Sequence, residues 1–227
     1  MPRVTVKPLR ECSPVTVHLE ALSDLELMRQ AQADNSQAFS VLVERYQVPL
    51  LRMARSRVGR PHWAEELVQE TLLAAYRSRR TFDPRFSFRT WLWTILLNHC
   101  KAHAIRRQRR PTLESLGDSS PDFVGPSSSS DDPFAALWQK QRAALLDELL
   151  DRLPTAQADA LRLRFFAGLK FQEIADTTGC SLLTAKNRVR AGLLKLSESA
   201  PRELVDHHHR PNPDNPNSAE PNAEQPR

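Results

Sequence analysis

An all-α fold of two small helical domains joined by a flexible acidic linker is what this sequence predicts, on three observations. Apolar residues recur at three- and four-residue steps in segment after segment, and no alternating run reads as a strand. Two such helical blocks, 23–110 and 134–200, flank a stretch, 111–133, made largely of Pro, Gly, Asp and Ser with a run of four serines. That composition is solvated and buries no core. Charge follows the same division. Arg77–Arg110 holds ten Lys/Arg and one acid, 111–133 holds five acids and no base, and 160–196 holds seven bases and two acids.

The elements follow in order. Residues 1–22 show no helical period and read as a flexible extension. Ser23-Asp-Leu-Glu26 is a capping box, in which the serine and glutamate each satisfy an N–H of the first turn. A helix follows to about Ala33. Asp34-Asn35-Ser36 breaks it and caps a second, whose buried face carries Phe39, Leu42, Val43 and Tyr46, with Pro49 expected to kink or interrupt it. Gly59-Arg60-Pro61 is a turn. A third helix spans about 62–78 and buries Trp63, Leu67, Leu72 or Leu73, and Tyr76. A fourth runs from about Ser87 to Arg109 with Phe88, Trp91, Leu92 and Ile95 as its apolar stripe. In the second block, Leu146, Leu149, Leu150 and Leu153 share a helix face that ends at Pro154. Shorter helices are expected over 155–166, 171–178 and 182–198. The tail 201–227 has six prolines and reads as disordered; its His207-His208-His209 run reads as an incidental polar stretch rather than a metal site.

Composition narrows the function classes. The formal net charge of +5 points to a polyanionic partner. Cys12, Cys100 and Cys180 are widely spaced with no CxxC, which fits a reducing compartment and no disulfide framework. No segment approaches the apolar length of a signal peptide or a membrane span, so a cytoplasmic, nucleoid-associated protein without membrane insertion is expected. No phosphate-binding loop, nucleophile elbow or catalytic carboxylate pair is present, so no enzyme activity, catalytic residue or cofactor is expected. His99, Cys100 and His103 lack a fourth ligand, so no metal site is expected either.

Three groups of residues carry the chemistry that remains. FQEIADTTGCSLLTAKNRVR, 171–190, has the small residue, turn glycine and following helix of a helix-turn-helix. Its second helix presents Thr184, Lys186, Asn187, Arg188 and Arg190, with Ala185, Val189 and Leu193 facing inward. Those polar residue types read groove edges or hold phosphates. A plain helical hairpin with solvated charges is the alternative, disfavoured because no acid precedes Glu198 in that helix. In FDPRFSFRTWLWTILLNHCKAHAIRRQRR, 82–110, the rings of Phe82, Phe86, Phe88, Trp91 and Trp93 interleave with Arg85 and Arg89. Lys101, Arg106, Arg107, Arg109 and Arg110 follow. Aromatic faces beside a basic track suit single-stranded nucleic acid. Phe88 and Trp91 lie on the apolar stripe and read as core, leaving Phe82 and Phe86, in the loop beside Pro84, as the better candidates for base contact. Asn98, among apolar neighbours, is either a satisfied internal amide or a base reader. In the third group, Glu65, Glu66, Gln69 and Glu70 form an acidic helix face, either simply solvated or docking a basic partner.

Taken together and in order, these stretches resemble bacterial RNA polymerase sigma factors of the sigma-70 family, extracytoplasmic-function (ECF) type. DLELMRQAQADNSQAFSVLVERY matches the family's start, and AEELVQET its core-polymerase-binding helix, with Glu66 where Asp is usual. FDPRFSFRTWLWTILLN matches its promoter-melting loop and helix, and LDRLPTAQADALRLRFFAGLKFQEIADTTGCSLLTAKNRVRAGLLKL its helix-turn-helix region. The resemblance implies that Glu65, Glu66, Gln69 and Glu70 face the β′ clamp helices and that the second domain meets the β flap. It implies that Phe82, Arg85, Phe86, Asn98, Lys101, Arg106 and Arg107 serve the −10 element, Phe82 and Asn98 holding a flipped base. It gives the −35 element to Thr184, Lys186, Asn187, Arg188 and Arg190. Ala191 and Gly192 stand where many relatives carry an Arg. An anti-sigma factor is an implied partner. The acidic linker either threads the polymerase's RNA path or is a soluble tether. The rival readings are an autonomous helix-turn-helix regulator and an RNA-binding adaptor.

Overall fold

The computed structural model describes residues 19–109 and 133–199, and every regular element among them is helical. Most of the N-terminal extension, nearly all of the acidic linker, and the tail with its histidine run lie outside the described residues.

The first unit begins with α1, Asp24–Gln32. The expected capping box is present: Glu26 N–H donates to Ser23 Oγ at 3.3 Å and Ser23 N–H to Glu26 Oε2 at 2.9 Å. Asp34 turns the chain with a positive φ of 65°, and Asn35 Oδ1 accepts the N–H groups of Gln37 and Ala38 to start α2, Ser36–Val58. Pro49 does not interrupt α2. Proline forfeits one backbone hydrogen bond there. Burial of Val41 and Leu42 on one side of it and Leu50, Met53 and Ala54 on the other holds both halves to one core. Gly59, in the left-handed region at φ 71°, closes α2 with its N–H on Arg55 O. Pro61 opens α3, Pro61–Arg77, at the position where a missing N–H costs nothing. A 3₁₀ turn, Arg79–Thr81, leads through an irregular loop to α4, Phe88–Arg109.

In α4 the buried face is Phe88, Leu92, Trp93, Leu96, Leu97 and Cys100. It is broader than the expected stripe, and Trp91 and Ile95 are only partly buried. The cause is that α4 is covered from several directions, by α1, α2 and α3 within its own unit and by a helix of the second unit. In α3, Leu67, Val68 and Thr71 are buried, while Trp63, Leu72 and Tyr76 are half-buried and Leu73 is exposed.

The second unit comprises α5, Pro133–Asp151; α6, Thr155–Phe165; α7, Phe171–Thr178; and α8, Leu182–Ser199. Its core joins Leu150, Leu161, Leu163, Leu169, Ile174 and Val189. Leu193, expected inward, is exposed, and Gly192 takes the inward position instead. A Cβ at Gly192 would stand 2.7 Å from Leu161 Cδ1, so the glycine lets α8 lie close against α6.

The two units pack against each other, α4 on α7 and α2 on α6. The contact is polar at its centre. Arg162, with a side chain 2% exposed, donates to Ser56 Oγ at 3.0 Å, to Ser56 O at 2.6 Å and to Asp151 at 2.9 Å. Arg57 Nε lies 2.8 Å from the buried carboxylate of Asp159. At the edge, an Arg89 N–H donates to the Ala167 carbonyl. Arg89 was expected beside nucleic acid with the aromatic rings, and instead bonds across this contact; the other residues carried no expected role.

Candidate polymerase and nucleic-acid interfaces

The acidic face lies on α3. Because Ala64, Leu67, Val68 and Thr71 turn inward, the helical period places Glu65, Glu66 and Gln69 in solvent, with Glu70 half-buried. Two of the acids are anchored from neighbouring helices. Arg55 of α2 donates to Glu65 at 3.1 Å, and His99 Nδ1 of α4 lies 3.2 Å from Glu70. Between α2 and α3 runs a cleft of about 670 Å³ lined by Gln47, Leu51, His62, Glu65, Glu66 and Gln69. An acidic helix edge beside a cleft with an apolar floor is suited to a basic helical partner.

The loop between the 3₁₀ turn and α4 is held at its root. Gln32 Nε2 donates to the carbonyls of Arg79 at 3.0 Å and Phe82 at 2.9 Å. Arg79 in turn donates to Ala31 O and Tyr76 O, pairs with Asp34 and stacks on Tyr76 at 4.1 Å. Asp83 accepts the backbone N–H of Arg85 and pairs with its guanidinium, which holds the carboxyl below the usual range. The structure orders the two candidate rings opposite to the sequence. Phe82 is 5% exposed and packs on Trp91 and Phe88, with centroids at 5.1 and 6.1 Å, whereas Phe86 is 65% exposed. Phe82 follows the 3₁₀ turn directly and is drawn under the loop, while Phe86 sits at its tip. Trp93, counted among the interleaved rings, is core at 1% exposed.

Asn98 is exposed, which removes the internal-amide reading and leaves its amide edge available. Lys101, Arg106, Arg107 and Arg109 are exposed along the last turns of α4, a helix end where cations also meet the negative end of the dipole. Arg110 lies outside the described residues. His99, Cys100 and His103 do not converge. His99 faces Glu70, and His103 packs on the Trp63 ring at 5.1 Å. The Cys100 thiol is buried and pushed up to about 11, chiefly by that burial.

The helix-turn-helix is α7 and α8. Glu173 accepts the Lys170 N–H at 2.7 Å to start α7, and Gly179 ends it in the left-handed region at φ 64°. Ser181 Oγ accepts the Thr184 N–H at 3.1 Å, capping α8. Ala185 and Val189 turn inward as expected, so Lys186, Asn187 and Arg190 project into solvent together, with Thr184 and Arg188 at the flanks. The Thr184 hydroxyl is also 2.8 Å from Ser181 Oγ, so it serves the cap. On another side of this unit, Leu146, Leu150, Leu161, Phe165, Phe166 and Leu193 line an apolar cleft of about 290 Å³. Sequence reasoning missed this cleft. The signal available was Phe165-Phe166, two adjacent rings that one helix face cannot bury.

Comparison with known proteins places both units. The Sigma-70 region 2 model matches residues 42–110 and the Sigma-70, region 4 model matches residues 143–196. The chain is similar to the ECF RNA polymerase sigma factor RpoE of Cereibacter sphaeroides, 34% identical over 136 residues covering 60% of this chain and 71% of that one. It is 29% identical over 169 residues to the RNA polymerase sigma-H factor of Pseudomonas aeruginosa, covering 73% and 88%. Among solved structures, CnrH in complex with the cytosolic domain of CnrY superposes with a TM-score of 0.59 at 28% identity, covering 81% of this chain and 97% of that one. RpoE of Bartonella quintana, solved with the anti-sigma factor NepR, shares the fold at a TM-score of 0.53 and 24% identity, covering 69% and 94%. With both conserved regions matched in order and curated ECF relatives aligned across them, this chain belongs to the sigma-70 family of RNA polymerase sigma factors, in its ECF subfamily.

Proposed function

We propose that this chain binds core RNA polymerase and directs it to promoters by dividing the work among three surfaces. The observation that carries this reading is their joint presence: an acidic helix edge, a loop with an exposed ring beside a basic helix end, and a basic recognition helix. An autonomous regulator needs only the last. It is a transcription initiation factor acting in the cytoplasm, and catalysis of RNA synthesis belongs to the polymerase.

In this reading Glu65, Glu66, Gln69 and Glu70 meet the β′ clamp helices, with Glu66 supplying the charge that Asp supplies in most relatives. The apolar cleft of α5, α6 and α8 suits the β flap. Arg85, Phe86, Asn98, Lys101, Arg106 and Arg107 serve the −10 element, with Phe82 as the wall behind them. Thr184, Lys186, Asn187, Arg188 and Arg190 serve the −35 element. RpoE of Bartonella quintana, which shares this fold, was solved with an anti-sigma factor, and an anti-sigma factor is the expected negative regulator here.

Two substitutions test the division. Glu66→Lys is expected to weaken core binding by at least tenfold in a fluorescence titration, because a cation replaces an anion facing a basic partner and like-charge juxtaposition costs several kcal/mol. Affinity equal to the unmodified chain would remove α3 from the polymerase interface. Asn98→Ala is expected to impair binding to −10 fork DNA by roughly 5- to 100-fold, the worth of a good amide–base pair, while leaving −35 duplex binding unchanged. Equal loss at both elements would refute the assignment.

A further inference from the structure

Trp63 stands in the first turn of α3, yet its indole faces α4. The Arg107 guanidinium lies 4.3 Å from the ring centroid and His103, one turn earlier on α4, packs on the same ring at 5.1 Å. Arg60 approaches at 4.9 Å. One ring therefore gathers two guanidinium groups and ties the basic end of α4 to the start of the acidic helix. Trp is the best aromatic partner for a guanidinium. Stacking occupies the guanidinium's face and leaves its in-plane N–H donors at the edge, where phosphate oxygens are bound. His103 is pushed toward its neutral form, by burial first and then by Arg106 and Arg107, with Glu66 and Glu70 opposing. A neutral imidazole adds no third cation to the cluster.

We propose that Trp63 is a positioning residue for promoter DNA: it holds the Arg107 guanidinium in one geometry at the exposed end of α4, so that Arg107 meets a backbone phosphate without first being ordered. The inference rests on reading Lys101–Arg109 as a phosphate track. A long arginine on an exposed helix end otherwise loses rotamer freedom on binding. Trp63 removes that cost in advance and couples the DNA track to the helix that carries the polymerase contact.

The test is a double-mutant cycle in holoenzyme reconstituted from the full chain and core polymerase. Binding is measured to a fluorescein-labelled duplex of a promoter found by start-site mapping, across a salt series. Arg107→Gln is expected to reduce the salt slope by about one, the loss of one phosphate contact. Trp63→Ala is expected to weaken binding about 2- to 12-fold, the cost of ordering one rotamer-rich side chain expressed as affinity. That loss should disappear in the Arg107→Gln background, because the two residues act as one unit. Trp63→Tyr should restore most of it. An equal loss from Trp63→Ala in both backgrounds would overturn the proposal and leave the phosphate track standing. An unchanged salt slope in Arg107→Gln would overturn the phosphate reading of Arg107 and the proposal with it. A general folding defect in Trp63→Ala would give losses independent of Arg107, so it cannot imitate the coupling.

Discussion

Alanine at Phe86 is expected to lower promoter opening by about 5- to 150-fold while leaving unfolding free energy within about 0.5 kcal/mol. Alanine at Phe82 is expected to cost about 3–5 kcal/mol of stability. The two rings lie four residues apart in one loop but in opposite environments. Phe86 is largely exposed at the loop tip, so its removal creates no cavity. What it can lose is a stacking partner for an unpaired base. Phe82 fills space against Trp91 and Phe88 above a loop root fixed by Gln32, so its truncation leaves a void beneath the loop. Permanganate footprinting of the melted region and chemical denaturation separate the effects. Normal opening by Phe86→Ala, together with an undiminished midpoint for Phe82→Ala, would reverse the assignment of the two rings.

The second large effect concerns the contact between the units. Arg57→Ala is expected to destabilise that contact by about 3 kcal/mol, because it strands a buried carboxylate. The Asp159 side chain is 7% exposed, and with Arg57 gone its remaining ion-pair partner, Arg162, is 3.9 Å away and engaged with Ser56 and Asp151, with Lys101 acting from farther off. Burial already pushes the Asp159 carboxyl upward against the opposing influence of Arg57 and Arg162. Removing Arg57 pushes it further. The sign of the pH dependence follows. The variant's deficit should be full where Asp159 is ionised and should shrink as pH falls through its elevated pKa, where a neutral carboxyl no longer needs the guanidinium. Replacing both partners, Arg57→Met with Asp159→Leu, should come within about 1 kcal/mol of the unmodified chain, since paired burial of ions gains little over apolar packing. Urea unfolding at a series of pH values measures all three. A deficit for Arg57→Ala that is absent at neutral pH would show that the pair contributes nothing to the contact.

Local signals carried most of the fold. The Ser23 capping box, the Asp34–Ser36 break and the turn glycines at 59 and 179 act within a few residues, and each bounds a helix close to where it was expected. Apolar spacing placed Leu42, Leu67, Leu92, Ala185 and Val189 correctly for the same reason. The misjudged positions depend on partners far along the chain. Pro49 stays in its helix because core contacts on both sides outweigh one lost hydrogen bond. Phe82 and Trp93 share residue types with the exposed Phe86 and the half-buried Trp91, and only the packing of other helices on α4 separates the buried rings from these. Arg57, Asp159 and Arg162 look like ordinary surface charges on amphipathic helices. Their pairing spans about a hundred residues, and periodicity holds no record of it. At the candidate sites, the solvent-facing acids of α3 and the solvent-facing Lys186, Asn187 and Arg190 of α8 were legible because each set lies on one helix. The Trp63–Arg107 stack was not, since it joins two.

Promoter recognition by core polymerase should depend on this chain. Run-off transcription with purified bacterial core polymerase and a randomised promoter library reads that dependence. Transcripts are expected that require the chain, start downstream of a shared pair of −35 and −10 sequences, and fall in yield with Asn98→Ala, in line with its roughly 5- to 100-fold loss of −10 binding. No chain-dependent transcript from any library member, or tight duplex binding to a palindrome by the chain alone, would contradict it.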